Sequence, residues 1–473
     1  MPCNNYVSMT WLLSYNGFTN KTCRPQSPRA APSGALVVVA CHPSSASASP
    51  SALAAASASA SASASASGSA SASAVPRRRP QQLQTPDDAL FLGRFASFLR
   101  RRCHLTHAFV AAADADLAPL LLLSQRQRQR QREPDESLPV PVPVPGPGPV
   151  CDLAVAIGAL DASRHGAVTT SRARDARCAA YRAYGRAVRG LRARLRGPDA
   201  VSGDDVVWAT FLLGLFELMA EASGDAWAAH MFYGTARVLQ AAGPDHMSQS
   251  RRSLFDAFRV LEASRAIMYG DGTFLAQDEW RTMSDGDDPT DAMSAVLDLM
   301  IRASSFSKRL FDRLESIPPH LRADSPVIDD LAREGAELFG TIRAWEAATP
   351  TGPFADLARA NYCALELFFC KNFTYYACLL DRAVPRLHPG EAEAHVEAVL
   401  RACERVLSTG VPGALLLFPL RMAGANSTDP KRKERILKML GEIHAQGFVV
   451  ADRITIDLHE FWEHQQRVVQ SNG

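Results

Sequence analysis

Three features of the sequence predict an all-α fold. Apolar residues recur at helical spacing through nearly every segment after Cys151, no run of alternating β-branched residues marks a strand, and helix caps and glycine stops bracket segments joined by short loops. Loops that short make successive helices antiparallel neighbours, so the architecture expected is a multi-helix domain of antiparallel helix pairs. With 473 residues and 47% hydrophobic composition, the chain is long enough for one large or two ordinary domains with a real core.

Residues 1–84 are expected to precede that domain as a disordered region. Ser44 to Ala74 is nearly pure Ser and Ala. Such a tract buries too little apolar area to offset a backbone ordering entropy of about 1–2 kcal/mol per residue. No acidic residue occurs before Asp87, whereas Lys21, Arg24, Arg29 and Arg77 to Arg79 all lie in that stretch. The composition suits a mitochondrial transit peptide, but alternating Ser and Ala has no amphipathic face, and no basic segment followed by a clean apolar run marks a secretory signal.

The helical domain is expected over 85–473. At its start Thr85 offers a cap, Asp87 and Asp88 an acidic first turn, and Leu90, Phe91, Phe95, Phe98 and Leu99 a helical apolar spacing. A Gln/Arg- and Pro-rich insertion comes next at 125–150; its Pro-x repeat cannot be helix interior and favours extended polyproline geometry on the surface. Arg172 to Gly197 holds nine arginines on an amphipathic helix, with Tyr181, Tyr184, Val188, Leu191 and Leu195 expected toward the core. The arginines read first as a solvated face, with phosphate contact as the alternative.

The next helix opens at Ser202 with Asp204 and Asp205 at its positive end, closes at Gly224, and is apolar around most of its circumference, which marks a central helix. Its apolar core, Val206 to Ala220, is shorter than the roughly 20 residues of a membrane span and contains Glu217, so burial in protein is expected rather than a membrane crossing. A helix over 226–242 comes after it and stops where Gly243 can take the left-handed cap and Pro244 cannot continue. Further helices are expected at 291–311, 327–348, 354–382, 391–407, 430–446 and 456–469.

No catalytic, cofactor-binding or metal-ligating residue emerges from the sequence, and no enzyme is expected. The ten cysteines include no Cys-x-x-Cys pair, which suits reduced thiols in an intracellular protein. His230, one turn after Trp227, has no second ligand nearby and reads as a packed, hydrogen-bonded histidine. His459 and His464 resemble the ends of a zinc-protease helix, but they are five residues apart, about 140° around a helix, and cannot face one metal. Cys103 to His107 has no partner pair, Ser284 to Ala292 lacks the glycine and glutamate of a calcium loop, and Tyr269 to Phe274 lacks the third glycine and the strand of a dinucleotide loop. Lys plus Arg (51) nearly balances Asp plus Glu (49), so the whole chain advertises no polyanion partner. Arg77 to Arg79 and Lys431 to Arg435 are candidate nuclear import signals.

Several segments, in order, resemble the fungal-specific transcription factor domain, the helical regulatory region found with a zinc binuclear cluster in many fungal regulators. "CDLAVAIGALDASRHG" is similar to an early helix of that family, "YRAYGRAVRGLRARL" to its next amphipathic segment, and "DDVVWATFLLGLFELM", with Trp208 and Glu217, to its long apolar helix. The stretch carrying Trp227, His230, Met231, Gly234, Gly243 and Pro244 resembles it best. "TFLAQDEW", ending at Trp280, and the segment opening with Phe418, Pro419 and Leu420 are similar to later elements, so that the resemblance runs over about 86–463.

The resemblance implies a nuclear transcriptional regulator, with a biosynthetic or nutrient pathway as the kind of target. It also implies other transcription regulators or a second copy as partners, no membrane, and room for a small-molecule effector. Trp208, Glu217, Trp227, His230, Gly234, Gly243, Pro244, Trp280, Phe418, Pro419 and Leu420 are its signature structural residues. One departure stands out. A zinc binuclear cluster needs six closely spaced cysteines, and before residue 100 the chain has only Cys3, Cys23 and Cys41, each alone. No DNA-binding residue is therefore assigned, DNA contact is expected to be indirect, and zinc enters only if a cysteine cluster is encoded upstream. The alternative is a DNA-independent helical scaffold or co-regulator acting through a zinc-cluster partner.

Overall fold

The computed structural model describes residues 87–103, 105–106, 109, 117, 148–165, 169–197, 203–281, 292–345 and 353–472. The expected disordered region 1–84, the arginines at 77–79, the Ser202 cap, most of the 125–150 insertion and most of the acidic loop at 284–292 lie outside the described residues. Among the described residues every regular element is a helix, as the periodicity predicts. No helix among them is long and apolar enough to cross a membrane.

Four helices form the first group: α1 (Asp87–Arg102), α2 (Pro149–His165), α3 (Thr170–Arg194) and α4 (Asp204–Ala220). Pro149 and Val150, the last residues of the expected insertion, already lie in α2, where proline is tolerated because the first N–H of a helix needs no intrahelical partner. α1 lies against α2 so closely that a Cβ on Gly158 would sit 1.8 Å from the Phe91 carbonyl oxygen. The α3 face differs from expectation. Its buried stripe is Ala176, Ala180, Ala183, Ala187 and Leu191, whereas Tyr184, Val188 and Leu195 are only partly buried and Tyr181 is exposed. Small side chains let α3 approach α2 closely, and the larger ones are displaced to the flanks. α4 is the central helix the sequence predicts: every residue from Val206 to Met219 is buried.

Two short helices, α5 (Asp225–His230) and α6 (Ala236–Ala242), are joined by one π turn (Met231–Thr235). The stop falls where expected, but Gly243 takes φ 75° with ψ 161° rather than the left-handed helical cap, and Pro244 opens a single 3₁₀ turn. The next helix, α7 (Gln249–Tyr269), is absent from the helices expected of the sequence. Its signals are ordinary: the Ser248 side chain accepts from the Arg251 N–H at its start, Gly270 takes φ 65° at its end, and Leu254, Phe255, Phe258 and Leu261 are buried.

The second group comprises α8 (Ala292–Ser316), α9 (Pro326–Ala344), α10 (Pro353–Thr374), α11 (Pro389–Leu407), α12 (Leu417–Asn426), α13 (Pro430–Ala445) and α14 (Ala451–Asn472). α10 stops at Thr374 rather than 382, with a four-residue helical turn beyond it at Ala377–Leu380. α12 is a further helix not expected of the sequence; it is buried from Leu417 to Ala425, and Arg421 donates to the Met268 carbonyl at 3.2 Å, tying it to the end of α7. The two ends of the domain meet. Phe98 faces Phe448 at 6.2 Å, and Arg164 donates to the Gly447 carbonyl at 2.7 Å. One continuous core therefore runs through both groups.

Candidate functional site

The signature stretch lies where α4, α5, α6 and α7 converge. Trp227, His230 and Met231 share one face, as their spacing predicts, and that face is turned to α4: Trp227 is 2% exposed and His230 8%. The ring nitrogen Nδ1 of His230 lies 2.5 Å from Glu217 Oε2, and Tyr184 donates to the other carboxylate oxygen at 2.6 Å. Glu217 is 5% exposed, so this Tyr–Glu–His chain links α3, α4 and α5 through one buried carboxylate whose two oxygens are both satisfied. Tyr184 also stacks on Phe216 at 4.7 Å, and Trp227 meets Tyr269 of α7 edge-on at 6.1 Å. His230 is held through Nδ1 by the buried Glu217 carboxylate. It is a packed histidine.

Just past His230 the helix changes register. The Ala236 N–H bonds the Met231 carbonyl, five residues back, and the extra residue in the turn rotates the residues beyond it. Phe232 within the turn and Ala236, Arg237 and Gln240 beyond it line one wall of a cleft of about 290 Å³. The facing wall is Glu262 of α7 with Gly272, Thr273, Phe274 and Gln277. A volume near 300 Å³ is the lower end of the range for small-molecule pockets.

The floor of this cleft is ionic. Arg265 and Glu262 are each 1% exposed, and Arg265 Nε and Nη2 donate to the two Glu262 oxygens at 2.7 and 2.9 Å. Its remaining arm reaches Asp271 at 2.8 Å, and its guanidinium lies 5.0 Å from the centre of the Phe232 ring. Burial alone would lower the Arg265 pKa, but the charges of Glu262 and Asp271 more than reverse this and hold it above the ordinary arginine value. Apolar rings on two sides, amide and guanidinium donors of Gln240, Gln277 and Arg237 at the rim, and a carboxylate at the base make an amphipathic recess. Sequence reading misses Glu262 and Arg265; their only signal is a Glu-x-x-Arg pair amid the apolar residues of α7.

The other signature residues are structural neighbours of this region or lie apart from it. Trp208 of α4 donates to Ser250 at 3.2 Å, anchoring the start of α7. Trp280 packs edge-on against Phe274 at 4.9 Å and beside Phe255 at 5.7 Å, backing the cleft wall. Gly234 is buried within the π turn. Phe418, Pro419 and Leu420 are buried in α12, where Phe418 meets Phe368 of α10. They belong to the second group and do not touch the cleft.

Two further clusters of charge lie away from the cleft. On α10 and α11, His395 Nε2 lies 2.6 Å from Glu366, whose side chain is buried. Burial lowers the His395 pKa, but bonds to Cys363 and Glu366 outweigh it and push it up to about 9. The basic run at 431–435 is engaged within the fold: Arg435 pairs with Glu397 and Glu404, Arg432 faces Glu397 at 3.6 Å, and Lys433 lies 4.8 Å over the Trp462 ring.

The model of the family described as the fungal specific transcription factor domain matches residues 115–472, some three quarters of the chain. The chain belongs to that family. That family is a regulatory rather than an enzymatic one. A 103-residue stretch is 28% identical to an uncharacterized protein of Emericella nidulans, a match covering 22% of this chain and 22% of that protein. No solved structure matches the chain.

Proposed function

We propose that this protein is a nuclear regulator of transcription whose helical domain responds to a small molecule held in the cleft between α6 and α7. The family match over residues 115–472 carries the regulatory reading. The cleft supports the second half: it adjoins the π turn, and single π turns recur at functional sites. Its chemistry selects an amphipathic ligand of modest size. A planar apolar body fits between Phe232 and Phe274, an acceptor or anionic group suits Arg237, and a hydroxyl or amine suits the outer lone pairs of Glu262. We nominate no catalytic residue.

The signature residues serve this reading as framework. Glu217, Trp227 and His230 fix α5 on α4, so the π turn has a rigid base from which to project the cleft wall. The reading is tested by deleting the gene and profiling transcripts: a coherent set of genes, one biosynthetic or nutrient pathway in the simplest case, changes expression. An unaltered transcriptome in every growth condition contradicts it.

A second reading is a co-regulator that reaches DNA through a zinc-cluster partner, with the helical domain as the interaction scaffold. Affinity capture of the tagged protein separates the two: co-purification of a zinc-cluster regulator supports the co-regulator, and a partnerless monomer opposes it.

A further inference from the structure

α3 presents a row of charge that the fold does not use. Arg172, Arg174, Arg177, Arg182, Arg189, Arg192 and Arg196 are all exposed, and none has a carboxylate partner among the described residues. By contrast Arg186 is paired with Asp152 at 2.9 Å and Arg194 with Asp205 at 3.0 Å. The only acid between residues 170 and 197 is Asp175. At about 100° per residue, Arg174, Arg182, Arg189 and Arg192 lie opposite the buried alanine stripe over roughly 27 Å of helix axis, and Arg196 follows on that side just past the end of α3, while Arg172 and Arg177 flank the stripe. The chain as a whole is close to neutral, so this face is a local segregation of charge.

We infer that the outer face of α3 docks on the phosphate backbone of duplex DNA. Every unpaired cation in the row is arginine, whose planar fork matches phosphate oxygens two at a time and sheds water more readily than an ammonium. Its opposite face is packed onto α2 and α4, so the helix holds the spacing of these positions before binding. A membrane surface fits poorly: an interfacial helix needs a free apolar face, and that of α3 is buried in the core. Phosphate contacts position a protein without reading sequence. The face therefore contributes affinity and orientation for a regulator whose sequence reading comes from elsewhere, an inference that rests on the transcriptional reading above.

The test uses the full chain and a fluorescein-labelled 30-base-pair duplex of arbitrary sequence, with anisotropy read from 50 to 200 mM salt. The wild type should bind at 50 mM salt and weaken steeply with salt. A variant carrying Arg174→Gln, Arg182→Gln, Arg189→Gln and Arg192→Gln should bind roughly tenfold or more weakly. Its log–log salt slope should be smaller by between about three and four, close to 0.9 per lost phosphate contact. The matching Arg→Lys variant, which keeps the charge, should keep the slope. All four positions are exposed, so circular dichroism should be unchanged, confirming a folded comparison. No duplex binding by the wild type, or equal binding and equal slope in the Gln variant, overturns the inference. So does equally tight, equally Gln-sensitive binding to poly-glutamate or to vesicles of 30% phosphatidylserine. Chromatin occupancy of the tagged protein, measured separately, tells that failure from a failure of the transcriptional reading.

Discussion

Replacing Arg265 by methionine isolates what the floor of the cleft contributes. Arg265→Met keeps a long apolar stem but removes the guanidinium that satisfies Glu262, leaving a carboxylate 1% exposed without that countercharge. Breaking a buried pair from one side costs about 3–5 kcal/mol. Loss of the cation over the Phe232 ring adds roughly another 1 kcal/mol. Removing both partners is a different perturbation. In Glu262→Leu with Arg265→Met the buried charges disappear together, and the orphaned Asp271, with a side chain 46% exposed, is solvated. The double variant should therefore lie within about 1 kcal/mol of wild type or above it. Urea unfolding followed by far-ultraviolet circular dichroism of the wild type, both single variants and the double measures the coupling. A cost below about 1 kcal/mol for Arg265→Met, or a double variant as destabilised as the two singles together, refutes the claim that these residues act as one desolvated unit.

Three other perturbations have equally definite outcomes. Gly158→Ala forces a Cβ to within 1.8 Å of the Phe91 carbonyl oxygen; α1 must move, and the thermal midpoint should fall by the equivalent of about 3 kcal/mol, whereas an unchanged midpoint contradicts the close α1–α2 contact. His230→Phe leaves the buried Glu217 with only Tyr184 and should cost about 1–3 kcal/mol by urea midpoint. A change under roughly 0.5 kcal/mol, the scatter of surface substitutions, would count against the Tyr–Glu–His chain. The His395–Glu366 pair should give a pH signature. The folded-state pKa of His395, about 9, lies above its ordinary 6.5, so its stabilisation is fully present below that lower value and is lost as pH rises through the upper one. The stability gap between wild type and His395→Gln should accordingly shrink between those limits, and a gap that widens there would contradict the assignment.

The parts of this molecule that a sequence displays well are those set by side-chain type at fixed spacing. α4 is legible because a helix apolar on every side can only be central, and the end of α6 is legible because Gly243 and Pro244 leave the backbone no other course. The shared face of Trp227 and His230 is legible for the same reason. The hidden parts depend on partners. The π turn at Met231–Thr235 is a one-residue change in hydrogen-bond pattern that residue types do not announce. α3 is legible as a helix but not in its inner residues, because bulky Tyr181 and Tyr184 outweigh alanines in any apolar pattern until the closeness of α2 is known. α7 escapes sequence reading because its arginines and Glu262 look like surface charge; the pairing of Arg265 with Glu262, of Arg251 with Asp204 and the contact of Arg259 with Asp298 explain how they are buried. The cleft itself arises where α6 meets the segment 272–277, a juxtaposition no local pattern contains.

A chain that acts on genes must reach chromatin and change transcription there. Genome-wide occupancy of the tagged protein expressed from its own locus, paired with transcripts from the deletion strain, reads both at once. Enrichment is expected at discrete loci that neighbour genes whose expression changes on deletion. A protein that stays off chromatin in every growth condition, with an unchanged transcriptome, would contradict the regulatory role.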